Sequence, residues 1–547
     1  MNECDVVVVG GGHNGLVCAA YLAQAGLDVV IVEQSERPGG ALMSTDWNGH
    51  RLERGAVEHT AILTSGVVDD LDLASHGLVY AHRRAAAVHL FGDGTRIVID
   101  ETVEATAASI EAVSPADAKA WVKLAALSGP LQRAFAIAGD GWIPPPSLAT
   151  RFARLTGGSA ADAFVEFTRM SVVELAMRWF ESPHVRALAI FRAAFSGLPP
   201  WSPGTAGVFL LTTGGHGRSI GRPVGGSRAL VTALEGAVAA AGASIRCGFR
   251  VSAVTRAGSS WVVRATSGDA VTARRAVVSA MAPRPFLLDI LPPDVVPARH
   301  RRRVRGVQEV VANVAQLTLA AAIGSDACLP SFGRAELDGA ALWLLADPGA
   351  ATASYTAAQL GRVPESPATL VTFPSVADPG AAPAGRATMW ANSFTARHLH
   401  GRPWTDATTE ATEGLWRTID SCLPGVQEHV EHQLLTTPDD LTALTGAENP
   451  GSHVAPVPSQ TLGSRPARGF GNYHTPIDGI FLTGAGTHPG GGVSGAPGRA
   501  SAQAVLRSLG PARPRLRHGV RIARQVVDAF RAARDLDHDE GEPPSAT

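Results

Sequence analysis

Cysteine pairs, an excess of charge and long apolar runs are all missing from this sequence of 547 residues. Its five cysteines are widely separated and form no CxxC pair, which argues against a thiol–disulfide reductase. Lysine and arginine (47 residues) nearly balance aspartate and glutamate (49 residues), so no nucleic-acid partner is expected. The histidines show no HExxH or comparable spacing, and no metal site is predicted.

Segments that direct a chain into or across a membrane are missing too. The first residues lack a basic stretch followed by an apolar core, so no secretory signal is predicted. No apolar run reaches the roughly 20 residues that a membrane-spanning helix needs, and a cytoplasmic location is expected. A basic amphipathic pattern does occur in the tail, 511–547. It could rest peripherally on an anionic membrane, dock on the body of the protein or dock on a second subunit of a homodimer.

The first forty residues contain a strong motif. Val6 to Val9 predict a strand buried on both faces, and a glycine-rich turn leads from it into a helix that ends near Gly26. Leu27 to Val32 predict a second strand, after which Glu33 can accept hydrogen bonds from both hydroxyls of a ribose. This order is typical of dinucleotide binding, where a pyrophosphate meets the N–H groups at the helix start. The turn residues predicted to bind are Gly10, Gly12, His13, Asn14 and Gly15.

A second glycine-dense loop lies near the end of the chain, between a short apolar strand and an alanine-rich helix. It also offers backbone N–H groups to an electron-rich group, and Gly486, Gly492 and Val493 are its predicted binding residues. His488 in this loop and His453 upstream are the candidate catalytic residues, because an imidazole with a pKa near the working pH can transfer a proton. The alternative is that His488 only fixes the glycine-rich loop by hydrogen bonding and that His453 is simply a loop residue.

These motifs, together with the segments ERPGG (36–40) and LERG (52–55), resemble the flavin amine oxidase and phytoene desaturase superfamily. GHNGL near the start, and HPGGGV followed by GxxGR near the end, are most similar to its branch of pyridine nucleotide-disulfide oxidoreductase domain-containing proteins. The resemblance covers nearly the whole chain and implies FAD as cofactor. It implies FAD contacts for Gln34, Arg37, Gly39, Gly40, Ala41 and Leu42, and an adenine contact for Val251. Ala282-Pro283 departs from the family pattern, which often has an intervening Asp, so any role of that acid is absent.

The pattern predicts one dinucleotide turn with its helix, because the glycine run 214–218 is followed by further Gly and Pro residues rather than by a helix. A dedicated NAD(P) domain is therefore rejected. The predicted fold class is α/β, with a Rossmann-type two-dinucleotide-binding FAD domain (GR2-like and discontinuous) and a mixed-sheet plus helical substrate domain. Strands of the second sheet are predicted at 310–319, 341–345, 369–373 and 387–390. The predicted boundaries are 1–80, 215–290 and 440–510 for the FAD domain, 81–214 and 291–439 for the substrate domain with its helical insertion, and 511–547 for the tail.

The resemblance implies an FAD-dependent oxidoreductase that dehydrogenates a C–C or C–N bond. The expected substrate is an apolar small molecule, such as a carotenoid-like compound or another secondary metabolite, and oxygen, a quinone or another acceptor is expected to take the electrons. Two alternatives remain open. One is a flavin amine or amino-acid oxidase, which would need a charged anchor in the substrate domain, and the other is a flavin-binding scaffold without turnover.

Overall fold

The computed structural model describes residues 3–59, 61–84, 87–137, 166–167, 169–213, 219–333, 338–451, 453–457, 460 and 465–510. Part of the predicted helical insertion (138–165), the glycine run 214–218 and the predicted tail helix (511–547) lie outside the described residues. Within the described part of the chain, no helix combines the length and the apolar composition that crossing a bilayer requires.

Eighteen strands and twelve helices of eight or more residues make up the described fold. The strands are β1 (Glu3–Val9), β2 (Val29–Val32), β3 (Ser44–Trp47), β4 (His50–Glu53), β5 (Tyr80–Arg84), β6 (Ala87–Phe91), β7 (Arg96–Ile99), β8 (Ser219–Pro223), β9 (Ser244–Arg246), β10 (Val251–Ala257), β11 (Ser260–Ala265), β12 (Ala270–Ser279), β13 (Val314–Ile323), β14 (Ala341–Leu345), β15 (Thr369–Thr372), β16 (Ala387–Ala396), β17 (Val430–Thr436) and β18 (Ile480–Leu482). The helices are α1 (His13–Gln24), α2 (Val103–Glu111), α3 (Pro115–Ile137), α4 (Val172–Trp179), α5 (Pro183–Ala194), α6 (Thr205–Thr213), α7 (Ser227–Ala240), α8 (Ala298–Arg305), α9 (Ala350–Gln359), α10 (Thr408–Cys422), α11 (Pro438–Thr445) and α12 (Ala496–Ser508).

The first sheet has the strand order β10-β11-β12-β1-β2-β9, and β18 pairs with β12. Its central strands β12, β1, β2 and β9 are parallel. Val6 and Val8 of β1 pack towards helices α1, α7 and α12, while Val7 and Val9 pack into the core on the opposite side. Helices and loops thus cover both faces, which explains why β1 is a continuous run of valines rather than an alternating strand. The sheet draws its strands from 3–32, 244–279 and 480–482, and the domain boundaries stay a prediction.

The second sheet has the order β17-β13-β16-β15-β14-β6-β7. It is mixed, because β14 and β6 run parallel while its other pairs are antiparallel. One face packs against α10 through side chains such as Leu319, Met389 and Leu342. The opposite face, here called the inner face, carries the alternate side chains, and it meets α5 and the segment 52–57.

The α/β fold with a mixed second sheet is confirmed, whereas two strand boundaries predicted from the sequence are wrong. The strand predicted at 310–319 is Val314–Ile323, and the strand predicted at 387–390 continues to Ala396. Every residue of β16 is buried, including the polar residues Asn392, Ser393 and Thr395. Pairing with neighbours on both sides therefore extends the strand through residues whose own preference for a strand is weak.

Candidate functional site

The turn after β1 is a tight glycine loop that opens towards a ligand. Gly10 has a φ of 103°, and a Cβ atom on Gly15 would lie 2.0 Å from the carbonyl oxygen of Gly10. Glycine is therefore needed at both positions for the turn itself. A Cβ atom on Gly12 would come within 4.0 Å of Gly40 Cα alone, so Gly12 faces open space. That space fits the close approach of a pyrophosphate.

Helix α1 starts at His13 with no side chain on its N-cap residue Gly12 and no acidic residue in its first turn. Asn14 is buried, and its Oδ1 atom has no hydrogen-bond partner among the described residues. The His13 ring lies 3.0 Å from Asn14 Nδ2 and hydrogen-bonds the Gly492 backbone. The positive end of the helix, where N–H groups lack intrahelical partners, fits a bound anion such as the FAD pyrophosphate, and the orphaned acceptor Asn14 Oδ1 fits a donor such as a hydroxyl of the same cofactor.

Glu33 lies directly after β2 and is held by two backbone amides. Gly11 N donates to Glu33 Oε2 at 2.7 Å, and Ser35 N donates to Glu33 Oε1 at 2.9 Å. A carboxylate has about four acceptor sites, so each oxygen can still accept a further hydrogen bond. The side chain is preorganised for the two hydroxyls of a ribose, as the sequence predicts.

Residues 39–42 lie against the first glycine turn. Gly39 N donates to Gly11 O at 2.9 Å, and Leu42 N donates back to Gly39 O at 3.1 Å. A Cβ atom on Gly40 would lie 3.2 Å from Gly12 Cα. Gly55 packs so closely on Ala41 that a Cβ atom there would lie 1.9 Å from the Ala41 carbonyl oxygen. Gly39, Gly40, Ala41 and Leu42 are thus brought to the predicted pyrophosphate position.

The other predicted FAD contacts lie farther from the first glycine turn. Phe249 N donates to Glu33 O at 2.8 Å, which brings Val251 at the start of β10 near the ribose end of the site. Gln34 is partly buried beside Gly446. Arg37 is exposed and makes no hydrogen bond or ion pair with another described residue, so nothing in the structure brings it to the turn. The binding roles of all these residues stay predictions.

The second glycine loop runs from β18 to α12 and closes over the start of α1. A Cβ atom on Gly498 would lie 2.4 Å from the carbonyl oxygen of Asn14, so the two helices touch through bare backbone. Val493 packs in the same apolar core as α1. Gly492 is exposed, and a Cβ atom there would meet nothing within 4 Å. Gly492 therefore borders the first glycine turn, where His13 hydrogen-bonds its backbone, whereas Gly486 is buried against Pro283.

Arg465 fixes the second loop from within the protein. Its Nε atom donates to Thr487 O at 3.1 Å, and its Nη2 atom donates to Val454 O at 2.7 Å and Ala485 O at 2.9 Å. Burial lowers the pKa of Arg465 to about 10, so the guanidinium stays charged at neutral pH. The site thus contains a fixed positive charge that would stabilise a reduced flavin, which gains negative charge.

Both candidate histidines lie at this loop, but their pKa values differ from the near-neutral ones expected from the sequence. His453 lies beside Gly486, and burial, followed by Arg465 and His13, lowers its pKa to about 4. Burial and Arg465 lower the pKa of His488 to about 4 as well. Both imidazoles are neutral at pH 7, so either can accept a proton but neither has one to donate as an imidazolium. His453 Nδ1 is buried without a partner among the described residues.

Three residues that pattern reading missed also belong to the site. His59 is fully buried near His13, and burial together with His13 lowers its pKa to about 3. Tyr473 OH donates to His488 O at 2.9 Å, and Arg465 holds the loop described above. Each of the three residues lies outside the helices and strands, and none belongs to a motif with a fixed spacing. Only the position of His59 shortly after LERG could have suggested it.

The inner face of the second sheet forms a floor beside these loops. Thr318 Oγ1 donates to Arg54 O at 3.1 Å, and Leu52 packs on Ala320 and Ala322. Val57 packs with Trp390, Leu370 and Ala341, and Trp343 and Phe195 lie against the same cluster. The described inner-face side chains from β13 to β6 include no Asp or Glu: they are Val314, Gln316, Thr318, Ala320, Ala322, Thr388, Trp390, Asn392, Phe394, Ala396, Leu370, Thr372, Ala341, Trp343, Leu345, Ala87, His89 and Phe91.

Comparison with known proteins gives a family match over most of the chain. The profile of the family described as flavin containing amine oxidoreductase matches residues 15–506. Pyridine nucleotide-disulfide oxidoreductase domain-containing protein 2 of Rattus norvegicus is 26% identical, over 93% of this chain and 94% of that protein. Phytoene dehydrogenase of Streptomyces griseus is 26% identical, over 89% of this chain and 92% of that protein. These matches confirm the resemblance to the superfamily and to its branch.

Two further similarities support less, because one covers a small part of the chain and the other has a low sequence identity. One of the subunits of limonene dehydrogenase from Castellaniella defragrans is 30% identical, but over only 37% of this chain and 36% of that protein. A solved structure of putrescine oxidase bound to putrescine has a TM-score of 0.61 at 16% identity, covering 93% of this chain and 99% of that one. At this identity the second similarity shows a shared fold.

Proposed function

Because the chain belongs to the family of flavin-containing amine oxidoreductases, we propose that it removes hydrogen from a C–C bond of an apolar substrate. Membership in the family makes the protein an FAD-dependent oxidoreductase of the amine oxidase and desaturase type. The bond and the substrate class are the proposed part. FAD when bound supplies the two-electron acceptor for a hydride-sized transfer, and the chain binds, orients and deprotonates the substrate around it.

The composition of the inner face carries this proposal. Its rings, from Trp343, Trp390 and Phe394, offer a broad apolar surface beside the segment that packs on the FAD loops. An ammonium substrate would find no described carboxylate there, and it would meet the positive charge of Arg192 on α5. A substrate that presents an apolar carbon chain and no ammonium group is the better complement. The names of the phytoene and limonene dehydrogenases refer to hydrocarbons, which supports the same substrate class.

The predicted residues have separate tasks in this proposal. The turn Gly10–Gly15 and the start of α1 hold the pyrophosphate, and Glu33 accepts the ribose hydroxyls. The backbone at 490–493 and the charge of Arg465 favour the reduced form of the flavin. His453, neutral at pH 7 and with an unpaired Nδ1 atom, accepts the proton that leaves the substrate carbon. Oxygen, a quinone or another acceptor then takes the electrons, because the sequence predicts no NAD(P) domain.

A second candidate, oxidation of an amino acid at its C–N bond, is favoured by Arg192, which could pair with the carboxylate of such a substrate.

Anaerobic mixing with candidate reductants separates the two candidate functions. We expect the flavin absorbance to bleach with phytoene or limonene and to persist with putrescine and L-phenylalanine. Rapid bleaching by the amine or the amino acid, with no response to either hydrocarbon, would replace the proposal. Stoichiometric reduction of the flavin by NADPH would contradict the prediction that the protein has no NAD(P) domain.

A further inference from the structure

Arg192 places a positive charge on the inner face of the second sheet. It lies on α5, and its Cζ atom lies 5.2 Å from the centroid of the Trp343 ring. The ring of His89 is also stacked with Trp343, at a centroid distance of 5.4 Å. The guanidinium therefore belongs to a cluster of three side chains from α5, β14 and β6.

This charge has no counter-ion in the described part of the chain. Arg192 forms no hydrogen bond or ion pair there, and its Nε atom is buried. Burial alone lowers the pKa of Arg192 to about 10, with no carboxylate acting on it, so the group remains charged at pH 7. Burial and the charge of Arg192 together hold the pKa of His89 well below its usual range. Leaving a desolvated charge unpaired costs free energy, which proteins normally avoid.

The neighbouring polar atoms also lack partners among the described residues. His89 is fully buried with both ring nitrogens unpaired, and Trp343 Nε1 and Asn392 Oδ1 are buried and unpaired as well. In the strand register, Asn392 lies opposite Leu370, Leu370 opposite Trp343, and Trp343 opposite His89. These four residues form one row across the inner face. Three strand spacings of about 4.8 Å make the row roughly 14 Å long.

The row connects the FAD loops with Arg192. Asn392 pairs with Thr318, which donates to Arg54 O, and Val57 packs on Leu370. Trp343, Phe195 and Arg192 each keep part of their surface accessible although they face the interior between α5 and the sheet. The row therefore presents an elongated surface that begins near the loops and ends at Arg192.

We propose that Arg192 is the anchor for a carboxylate at one end of the substrate. The apolar body of that substrate lies on Trp343, Leu370 and Trp390, and His89 adds a neutral hydrogen bond at the charged end. A guanidinium can bind a carboxylate through two parallel hydrogen bonds, which fixes the orientation of the substrate as well as its affinity. This inference rests on the proposed function, because it assigns a chemical class to the substrate of the same site.

The test measures binding to the full-length protein loaded with FAD, by calorimetry and by the change in the visible flavin spectrum. The probes are phenylbutyrate, its neutral amide and the corresponding amine. We expect the carboxylate to bind about tenfold or more tightly than the amide, and the amine to bind most weakly. Arg192→Met removes that preference, and Arg192→Lys retains part of it because the charge remains. The control is Arg178→Met on the neighbouring helix, where the side chain is 61% exposed.

A second measurement distinguishes a ligand anchor from a structural ion pair. Without ligand, Arg192→Met should unfold at the same temperature as the wild type or a higher one, since it removes an unpaired desolvated charge. A clearly lower unfolding temperature would mean that a carboxylate of the chain itself pairs with Arg192, which overturns the inference. Equal binding of carboxylate and amide, or no binding of the carboxylate, overturns it too.

Failure of the inference and failure of the proposed function give different results. If hydrocarbons reduce the flavin while Arg192→Met leaves the probe preferences unchanged, the anchor is wrong and the dehydrogenase proposal stands. If the carboxylate preference depends on Arg192 but no C–C substrate reduces the flavin, the anchor stands and the reaction is wrong.

Discussion

The Nε2 atom of His59 lies 3.0 Å from the Oγ atom of Ser227, and its Nδ1 atom lies 3.1 Å from the hydroxyl of Tyr80. The Ser227 hydroxyl donates to the carbonyl oxygen of Ala56, so its oxygen accepts from the imidazole. The N–H of His59 is therefore at Nε2, and Nδ1 accepts from Tyr80. Burial and His13 lower the pKa of His59 to about 3, so the imidazole in this network is neutral.

Acid should destabilise the protein because its buried histidines resist protonation. The folded pKa values of His13, His59 and His453 are about 4, 3 and 4, against about 6.5 for an unfolded histidine. Below pH 6.5 the unfolded chain binds protons that the folded chain does not, so this stability is present above pH 6.5 and is lost towards pH 4. Each such histidine contributes a slope of at most about 1.4 kcal/mol per pH unit.

Denaturant unfolding of the FAD-loaded protein at several pH values measures that slope. His59→Gln can keep both hydrogen bonds without titrating. We therefore expect it to lower the slope by nearly the contribution of one bound proton, which is about 1.4 kcal/mol per pH unit. His400→Gln, at an exposed position, is the control for the loss of one imidazole. A wild-type slope of zero between pH 6.5 and pH 4 would contradict the pKa values.

Gly12→Val should remove the cofactor and leave the fold intact. A side chain at Gly12 meets open space in the protein but occupies the predicted pyrophosphate position. Glu33→Ala should weaken FAD binding and also lower stability by about 1–3 kcal/mol, because it leaves the buried N–H group of Gly11 without its acceptor. The FAD content of natively purified protein and the unfolding temperature report the two effects separately. Purification of either variant with a full complement of FAD would contradict the assigned site.

Gly498→Ala should separate the two glycine loops. The added methyl group would overlap the Asn14 carbonyl oxygen, and relief requires α12 to move away from α1. We expect a loss of about 1–3 kcal/mol in the free energy of unfolding together with weaker FAD binding. Gly306→Ala is the matched control, since its methyl group would lie 3.4 Å from the nearest atom, the Arg303 carbonyl oxygen. Equal stability of both variants would show that the helix contact is looser than described.

His453→Ala should slow anaerobic flavin reduction by a C–C substrate more than His488→Ala does. A positioned base commonly contributes about 10²–10⁴-fold, and the low pKa of His453 places its effect at the lower end. Both variants are compared at equal FAD content, from pH 6 to pH 9. Equal reduction rates for the wild type and both variants would leave neither histidine in the chemical step.

The first strand, glycine turn and helix could be predicted because their signals are local. The valines of β1, the three glycines and Glu33 follow one another within 33 residues, and each residue type has a physical reason at its position. The resemblance to a known family then supplied the cofactor, which spacing alone leaves open between FAD and NAD.

The cluster at Arg192 could not be predicted in this way. Its members come from α5, β14 and β6, and His89 meets Trp343 only because two strands more than 240 residues apart pair in parallel. The hydrophobic periodicity within either strand does not indicate which residues of the two strands pair. The low pKa of His453 has the same origin, since burial and the charge of Arg465 arise only when the loops meet.

The first sheet also determines when during synthesis the protein can acquire its cofactor. Strand β1 and the turn of Gly10–Gly15 are synthesised before β12, and β18 and α12 follow later still. Until then the apolar side of α1 that α12 covers has no native neighbour, and such exposed surface is a common target of chaperones. A nascent chain can thus build half of the cradle early, but FAD is enclosed only after α12 has docked.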